Sequence, residues 1–134
     1  MKNIKLLFSL GAIALLVACS DPRPPEEIVA ERAQARLDAM VARDFAAVWE
    51  YQTPGFREET PRAAFESDLK RRPVHWIDGE VGQVRCEPKR CEVEVKITYK
   101  VPNAPAQLAG MGNTRPLTEI WISTGGGWWY TRRQ

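Results

Sequence analysis

Two of the three cysteines stand five residues apart, a spacing that suits a structural disulfide. Residues 87–90 form a four-residue loop between Cys86 and Cys91, and a hairpin folded there places the two thiols opposite each other. The functional alternatives are a redox switch and a metal-binding pair. Zinc is disfavoured because the pair Cys86 and Cys91 would have only a single histidine in the whole chain to join it. We therefore expect a disulfide, an oxidising compartment, and no metal or cofactor.

The residues before this hairpin include two candidate bases for proton transfer, Asp78 and Glu80. If antiparallel pairing continues unbroken from the disulfide, Asp78 falls opposite Tyr99 and Glu80 opposite Ile97. Both carboxylates would then lie on the apolar face of the sheet, where burial raises their pKa values. A carboxylate with a raised pKa is suited to general-base catalysis.

A β-bulge near Gly82 would reverse this placement. One extra residue in the strand turns both carboxylates towards water and turns Ile77 and Val81 inward. Burying two apolar side chains is more favourable than burying two charges. We therefore expect the bulge.

His75 and Tyr99 complete the set of candidate catalytic side chains. In a cavity, His75 would serve as a general base. As a strand-edge residue with a hydrogen-bonded ring, it would have only a structural role. The chain offers no clear Ser-His-Asp set, and it offers no Cys-His set because the cysteines are already assigned. The catalytic interpretation is therefore limited to a small isomerase or hydrolase.

Two further groups of residues are candidates for binding. One is the basic segment Lys-Arg-Arg at 70–72, and the other is the pair of neighbouring tryptophans Trp128 and Trp129. The basic segment would suit an anion or a lipid headgroup, but a basic last helical turn also stabilises the helix dipole. Alternation along a strand places the two tryptophans on opposite faces, so we expect one of them to be exposed. An exposed indole is a candidate contact for a protein partner, a glycan or an apolar ligand.

The elements that position these residues follow from periodicity. Apolar residues recur every three or four positions from Val29 to Trp49, and this predicts one long helix whose polar face carries Arg36. A second helix is predicted over 61–72. From Cys91 onward, odd positions are apolar and even positions polar, as in a half-buried strand. Further strands are predicted over 74–86, 115–124 and 128–132, which together give an α+β domain with a curved antiparallel sheet of about four strands.

The N-terminus has the features of an export signal. Lys2 and Lys5 precede an apolar run over 6–18 that is too short to span a bilayer. It ends in Leu-Val-Ala-Cys at 16–19, which resembles the lipobox of bacterial lipoproteins. The resemblance implies lipid attachment at Cys19 and, because Ser20 follows, the periplasmic face of the outer membrane. The alternatives are an ordinary signal peptide and an uncleaved anchor.

These features divide the chain into a signal peptide (1–18), a lipidated cysteine with a Pro-rich tether (19–25) and a single domain (26–134). Without Lys2 and Lys5, 17 Lys and Arg residues balance 17 Asp and Glu residues. A neutral mature chain gives no electrostatic argument for binding nucleic acid.

A further resemblance covers roughly residues 26–132. The helix segment at 37–45, the Thr-Pro-Gly-Phe-Arg break at 53–57 and the Trp-rich hairpin at 119–130 resemble the nuclear-transport-factor-2-like superfamily. This resemblance implies a cone-shaped sheet wrapped by a long N-terminal helix and a shorter second helix. It also implies that a homodimer could form through the open sheet face. Members include isomerases, dehydratases, ligand carriers and structural modules, so fold does not decide function.

The resulting expectation is a lipid-anchored binding or assembly module of the bacterial cell envelope. Its partners would be the membrane, through Cys19, and an envelope protein or an apolar small molecule. The alternative is a small isomerase or hydrolase that uses Asp78, His75 or Tyr99 in the cavity of the cone.

Overall fold

The computed structural model describes residues 21–107 and 110–132. Within these residues the chain forms four helices followed by four strands. The helices are α1 (Pro25–Val41), α2 (Phe45–Glu50), α3 (Pro54–Glu59) and α4 (Arg62–Arg71). The strands are β1 (His75–Glu87), β2 (Arg90–Lys100), β3 (Asn113–Thr124) and β4 (Gly127–Thr131).

The strands form one antiparallel sheet in the order β1-β2-β3-β4, so each strand pairs with its neighbour in sequence. The sheet is open, with β1 and β4 at its edges. An isolated bridge joins Gln52 to Tyr130 beside β4, and the Tyr130 amide donates a 2.8 Å hydrogen bond to the Tyr51 carbonyl. The segment between α2 and α3 is thereby fixed to the sheet.

One face of the sheet, here called the inner face, packs against α1. The inner face carries the odd-numbered residues of β2, together with Trp121, and α1 contributes Val29, Ala33 and Leu37 to the shared core. Each of these three helix residues is at most 2% exposed. Their four-residue spacing produces an apolar stripe on one side of the helix, and burial of that stripe holds α1 on the sheet.

Contacts with β1 set the direction of α1. The Gln34 amide donates to the Gly79 carbonyl at 2.8 Å and its oxygen accepts from the Val81 amide at 3.0 Å. A Cβ atom at Gly79 would lie 3.0 Å from Leu37 Cβ, so glycine permits this close approach. Further along the helix, Met40 packs in the same cluster as Trp76. Later residues of α1 therefore meet earlier residues of β1, and the helix starts near the disulfide hairpin.

The prediction of one helix up to Trp49 is wrong, because the chain turns after Val41. Arg43 has φ of 58°, in the left-handed region that ends helices. Asp44 then caps a new helix by accepting a 3.0 Å hydrogen bond from the Ala47 amide. The apolar period continues across this break, so it could not reveal the turn.

A second correction concerns 53–72. Thr53 caps the short helix α3, where the sequence predicted only a break, and its hydroxyl accepts from the Phe56 amide. The predicted helix over 61–72 is observed as Arg62–Arg71. The helices α2 and α4 pack together through Phe45, Val48, Phe65 and Leu69, a small core separate from the one under α1.

The predicted nuclear-transport-factor-2-like cone is wrong. The long helix that would wrap the cone is divided at Arg43, so α1 crosses only part of the inner face. The four strands form an open meander that does not close on itself. The observed architecture is therefore an open antiparallel sheet with α1 on one face and a small helical cluster beside it.

The predicted bulge near Gly82 is present: the register shifts between Val81 and Val84. Asp78 and Glu80 are consequently exposed and Val81 packs against the core. A second shift, between Trp76 and Asp78, was not predicted. It exposes Ile77 to 41% and places Trp76 against the core instead, where its ring meets Phe45 at 6.0 Å.

The disulfide between Cys86 and Cys91 is confirmed, with Cα atoms 4.1 Å apart. It pairs the ends of β1 and β2 in the predicted register, Val84 opposite Val93 and Arg85 opposite Glu92. Arg85 also forms an ion pair with Glu94 at 3.1 Å.

Reduction of this disulfide should lower the stability of the fold by a modest amount. The closed loop is short, so the disulfide removes little conformational entropy from the unfolded chain. It should therefore add only about 2 kcal/mol to the free energy of unfolding. Urea denaturation with and without reductant measures the difference. The C86A/C91A double variant should match the reduced protein, and a loss near zero in both would contradict a stabilising role.

Candidate functional site

The inner face is only partly covered, and the uncovered part forms a cleft. α1 ends at Val41 and α4 ends at Arg71, which leaves the inner face open over the start of β1, the end of β2 and the start of β3. Leu117 points into this opening and is 48% exposed. An apolar side chain this exposed on a face that is elsewhere buried marks a surface able to take a ligand.

The cleft has two connected parts, and four residues line both of them: Arg72, Trp76, Ile97 and Leu117. The inner part has a volume of about 390 Å³ and lies between the last turns of α1 and the sheet. The outer part has a volume of about 300 Å³ and opens beside Tyr99 and Arg115. Clefts of this size accommodate small organic molecules.

A buried ion pair closes the deep end of the inner part. Arg36 of α1 donates to a Glu119 carboxylate oxygen at 2.7 Å, and both side chains are 7% exposed. The second Glu119 oxygen accepts from the Trp121 indole N–H at 3.1 Å. The carboxylate is therefore bonded through both oxygens, as a buried charge requires.

Arg36 makes two further contributions to this end of the cleft. Its guanidinium lies 3.7 Å from the centre of the Tyr130 ring, a cation–π contact. Its Nε–H is buried and has no hydrogen-bond partner among the described residues. An unsatisfied buried donor costs free energy, about 1 to 3 kcal/mol, and a ligand acceptor that reached it would recover part of that cost.

The outer part of the cleft combines an apolar floor with arginines. Ile97, Tyr99 and Leu117 form the floor, and the two charged residues of the lining are Arg72 and Arg115. No ion pair involves Arg115 within 21–107 and 110–132, the range over which side-chain contacts are described.

Arg72 is held at the mouth of the cleft by a carboxylate outside it. It donates to Asp68 at 2.8 Å, one helical turn earlier. This hydrogen bond lowers the pKa of the Asp68 carboxyl, with a smaller contribution from the charge of Arg72. The pair lies on the surface, so its effect on stability is small.

The predicted catalytic residues are only partly brought together. Asp78 lines the inner part of the cleft and Tyr99 the outer part. His75 pairs with Lys100 at the end of the sheet, is exposed, and lines neither part. No arrangement of the three side chains around one reacting atom is present, and their catalytic roles stay predictions.

Of the predicted binding tryptophans, Trp128 is buried in the main core and Trp129 is half-buried. The Trp129 ring is covered by two guanidinium groups, from Arg32 at 5.1 Å and Arg57 at 4.9 Å. Burial lowers the pKa of Arg32, although Tyr51 beside it acts in the opposite direction. This stack explains the position of Trp129 by packing, and a binding role for either tryptophan stays a prediction.

The predicted signal peptide (1–18) and Cys19 lie outside the described residues. Between residues 21 and 132, apart from 108 and 109, no helix has the length and apolar character to cross a membrane. Over the same range, no cluster of three or more His, Cys, Asp or Glu side chains is arranged to hold a metal ion.

Solved structures of low sequence identity share this fold. A SEC-C motif containing protein from Rhodopseudomonas palustris, solved in solution, matches with a TM-score of 0.57 and 14% identity, over 75% of this chain and 73% of that one. The crystal structure of a SEC-C motif containing protein from Psychrobacter arcticus matches with a TM-score of 0.58 and 13% identity. That match covers 84% of this chain and 63% of the Psychrobacter chain, which is under two thirds of its length. No protein-family model and no curated protein matches the sequence.

These matches correct the family resemblances drawn from the sequence. The similar structures are SEC-C motif containing proteins, so the nuclear-transport-factor-2-like assignment is wrong. Neither structure is described as a lipoprotein, and the comparisons give no support to the lipobox resemblance. Identities of 13% and 14% are too low to carry function, and only the fold is shared.

Sequence reasoning missed the two residues at the centre of the site. It placed Arg36 on the polar face of the helix, whereas Arg36 lies seven residues after Val29 and therefore on the same side of α1. It treated Glu119 only as part of a hairpin motif, although alternation puts Glu119 on the face of Trp121. The available signal was the opposite charge of Arg36 and Glu119, each at a position that faces the core.

Glu119→Ala should be strongly destabilising, because it leaves the Arg36 charge buried without a partner. The expected loss is about 3 to 5 kcal/mol in the free energy of unfolding. The double variant R36M/E119Q removes both charges and keeps an acceptor for Trp121, so it should lose less than the single variant. Urea denaturation of the unmodified chain, of Glu119→Ala and of the double variant measures the free energies of unfolding.

Glu80→Ala is the matched control, since Glu80 is exposed and its ion pair with Lys96 is 3.7 Å long. It should change the free energy of unfolding by no more than about 0.5 kcal/mol. If the double variant proved as unstable as Glu119→Ala, the coupling between the two charges would be refuted.

Proposed function

We propose that this protein is a binding module of the bacterial cell envelope, and that its ligand occupies the cleft beside α1. The observation that carries the proposal is the open inner face: Ile97 and Leu117 are presented to solvent between two structured walls. Covering such a surface releases water from apolar groups, and this favours binding.

The order of the surrounding structure also supports a binding role. α1 is fixed to β1 through Gln34 and to β3 through the Arg36–Glu119 pair, so one wall of the cleft is held in place before a ligand arrives. A site formed in advance loses less conformational entropy on binding. The catalytic alternative, with Asp78, His75 and Tyr99, lacks a comparable supporting observation.

The envelope location rests on the sequence. The N-terminal segment has the lysines and the short apolar run that predict an export signal before Cys19, and the disulfide between Cys86 and Cys91 suits an oxidising compartment. We propose that a lipid on Cys19 holds the domain at the outer membrane, on its periplasmic side. A protein or small-molecule ligand would then be bound in the periplasm.

Blocking the cleft should remove its binding activity. A neutral apolar dye, N-phenyl-1-naphthylamine, should gain fluorescence on binding the full chain with Cys19→Ala, a change that prevents the proposed lipid attachment. Leu117→Trp fills the opening and should weaken dye binding at least tenfold. Lys100→Trp adds the same side chain on the exposed opposite face of β2 and should have no effect. Equal dye binding by both tryptophan variants would show that the cleft is not the site.

The anchor is tested separately by Cys19→Ser. When cells express the unmodified chain, the protein should incorporate labelled palmitate and sediment with the outer membrane. The serine variant should lose the label and no longer sediment with the outer membrane, while Ser20→Ala should behave as the unmodified chain. Retention of the label by the serine variant would contradict attachment at Cys19.

A further inference from the structure

The outer part of the cleft has the charge pattern of a site for an amphipathic anion. Its floor is apolar, and its charged lining residues, Arg72 and Arg115, are both basic. A purely apolar ligand would offer no hydrogen-bond acceptor or negative charge to these two guanidinium groups. A cationic ligand would be repelled by them.

Arg115 is the group that selects for an anion. It lies on the inner face of β3, opposite Ile97, and it has no ion pair among the described residues. A guanidinium presents a planar fork of donors that matches a carboxylate. Because no acidic side chain competes for Arg115, a bound carboxylate would be its first charged partner.

Arg72 approaches the same opening from the opposite wall. Its hydrogen bond to Asp68 holds the side chain beside the cleft without placing a carboxylate inside it. The two arginines therefore flank one entrance. Part of the charge of Arg72 is already compensated, so we expect Arg115 to contribute more to binding.

The apolar path continues inward from this entrance. Trp76, Ile97 and Leu117 line both parts of the cleft, and Met40 and Val41 of α1 line the inner part. A ligand with its charged end between the arginines can thus extend an apolar body beneath the end of α1. Each methylene group buried along this path would raise affinity up to about fourfold.

We propose that the cleft binds a free medium-chain carboxylate, with its carboxylate between Arg72 and Arg115 and its chain over Ile97 and Leu117. This inference rests on the proposed binding function and adds the chemical class of the ligand. It separates the charged end, which gives selectivity, from the apolar floor, which gives affinity.

Calorimetric titration of the full chain carrying Cys19→Ala tests the proposal. Decanoate should bind at least tenfold more tightly than decanol, a neutral molecule of the same length, and decyltrimethylammonium should bind more weakly than either. Hexanoate should bind more weakly than decanoate because it buries fewer methylene groups. Equal affinities for decanoate and decanol, or absence of binding by both, would overturn the carboxylate assignment. The binding function would be refuted only if the cleft also failed to bind the neutral dye.

Variants locate the charged end. Arg115→Gln should reduce decanoate affinity about tenfold, the effect of one hydrogen bond to a charged group, and should leave decanol affinity unchanged. Asp68→Asn frees Arg72 and should raise decanoate affinity about twofold to threefold, within the range of a surface ion pair. Arg85→Gln, an exposed arginine at the disulfide hairpin, is the matched control and should have no effect. An unchanged decanoate affinity in Arg115→Gln would overturn the proposal.

Two further outcomes would assign the cleft to a different occupant. Sedimentation that shows a dimer broken by Leu117→Trp would indicate that a second copy covers the inner face, which overturns the small-molecule site. Binding to phosphatidylglycerol vesicles that depends on Arg115, without binding of free decanoate, would place a membrane surface there and would likewise overturn it. A monomer that binds free decanoate and ignores the vesicles would support the proposal.

Discussion

The buried ion pair between Arg36 and Glu119 divides the inner face into a core and a cleft. On the N-terminal side of this ion pair, α1 covers the sheet with apolar residues. Towards the C-terminal end of α1, the sheet is open. Two buried charges are tolerated there because each is compensated: Glu119 is bonded through both oxygens, and Arg36 also lies over Tyr130. A well-packed apolar pair would have held α1 to the sheet as firmly. The charges instead leave one buried donor without a partner, Nε of Arg36, within the ion pair that closes the deep end of the cleft.

The two bulges in β1 determine which side chains enter that space. Each bulge adds one residue to β1 without adding one to β2, so each reverses the faces of the residues that precede it. The bulge after Val81 places Asp78 and Glu80 on the exposed side. The bulge after Trp76 keeps the indole inward, where it walls the cleft, and leaves Ile77 outside. Two local irregularities thus turn Glu80 away from the candidate site, leave Asp78 exposed at its edge and bring Trp76 into its wall.

Much of the sheet could be predicted from the sequence, whereas the site could not. Alternation along β2 and the spacing of Cys86 and Cys91 determine a register, because a disulfide permits only a narrow range of pairings. The turn at Arg43 gave no signal, since the apolar period continues beyond it and one left-handed residue decides the break. The cleft depends on where α1 stops and on the second bulge, both set by tertiary packing. The ion pair between Arg36 and Glu119 could not be predicted, because the two residues are 83 apart in sequence and only the tertiary fold brings them together.

The direction of α1 has a geometric consequence for a tethered protein. The helix begins at Pro25, six residues after Cys19, near the disulfide hairpin, and its 17 residues lead to the cleft. At 1.5 Å per residue it is about 25 Å long. If the chain is fixed to a bilayer at Cys19, the helix acts as a spacer, with the entrance flanked by Arg72 and Arg115 at its far end. The entrance and the proposed anchor would then lie at opposite ends of α1, so lipid attachment and ligand binding would occupy separate parts of the domain.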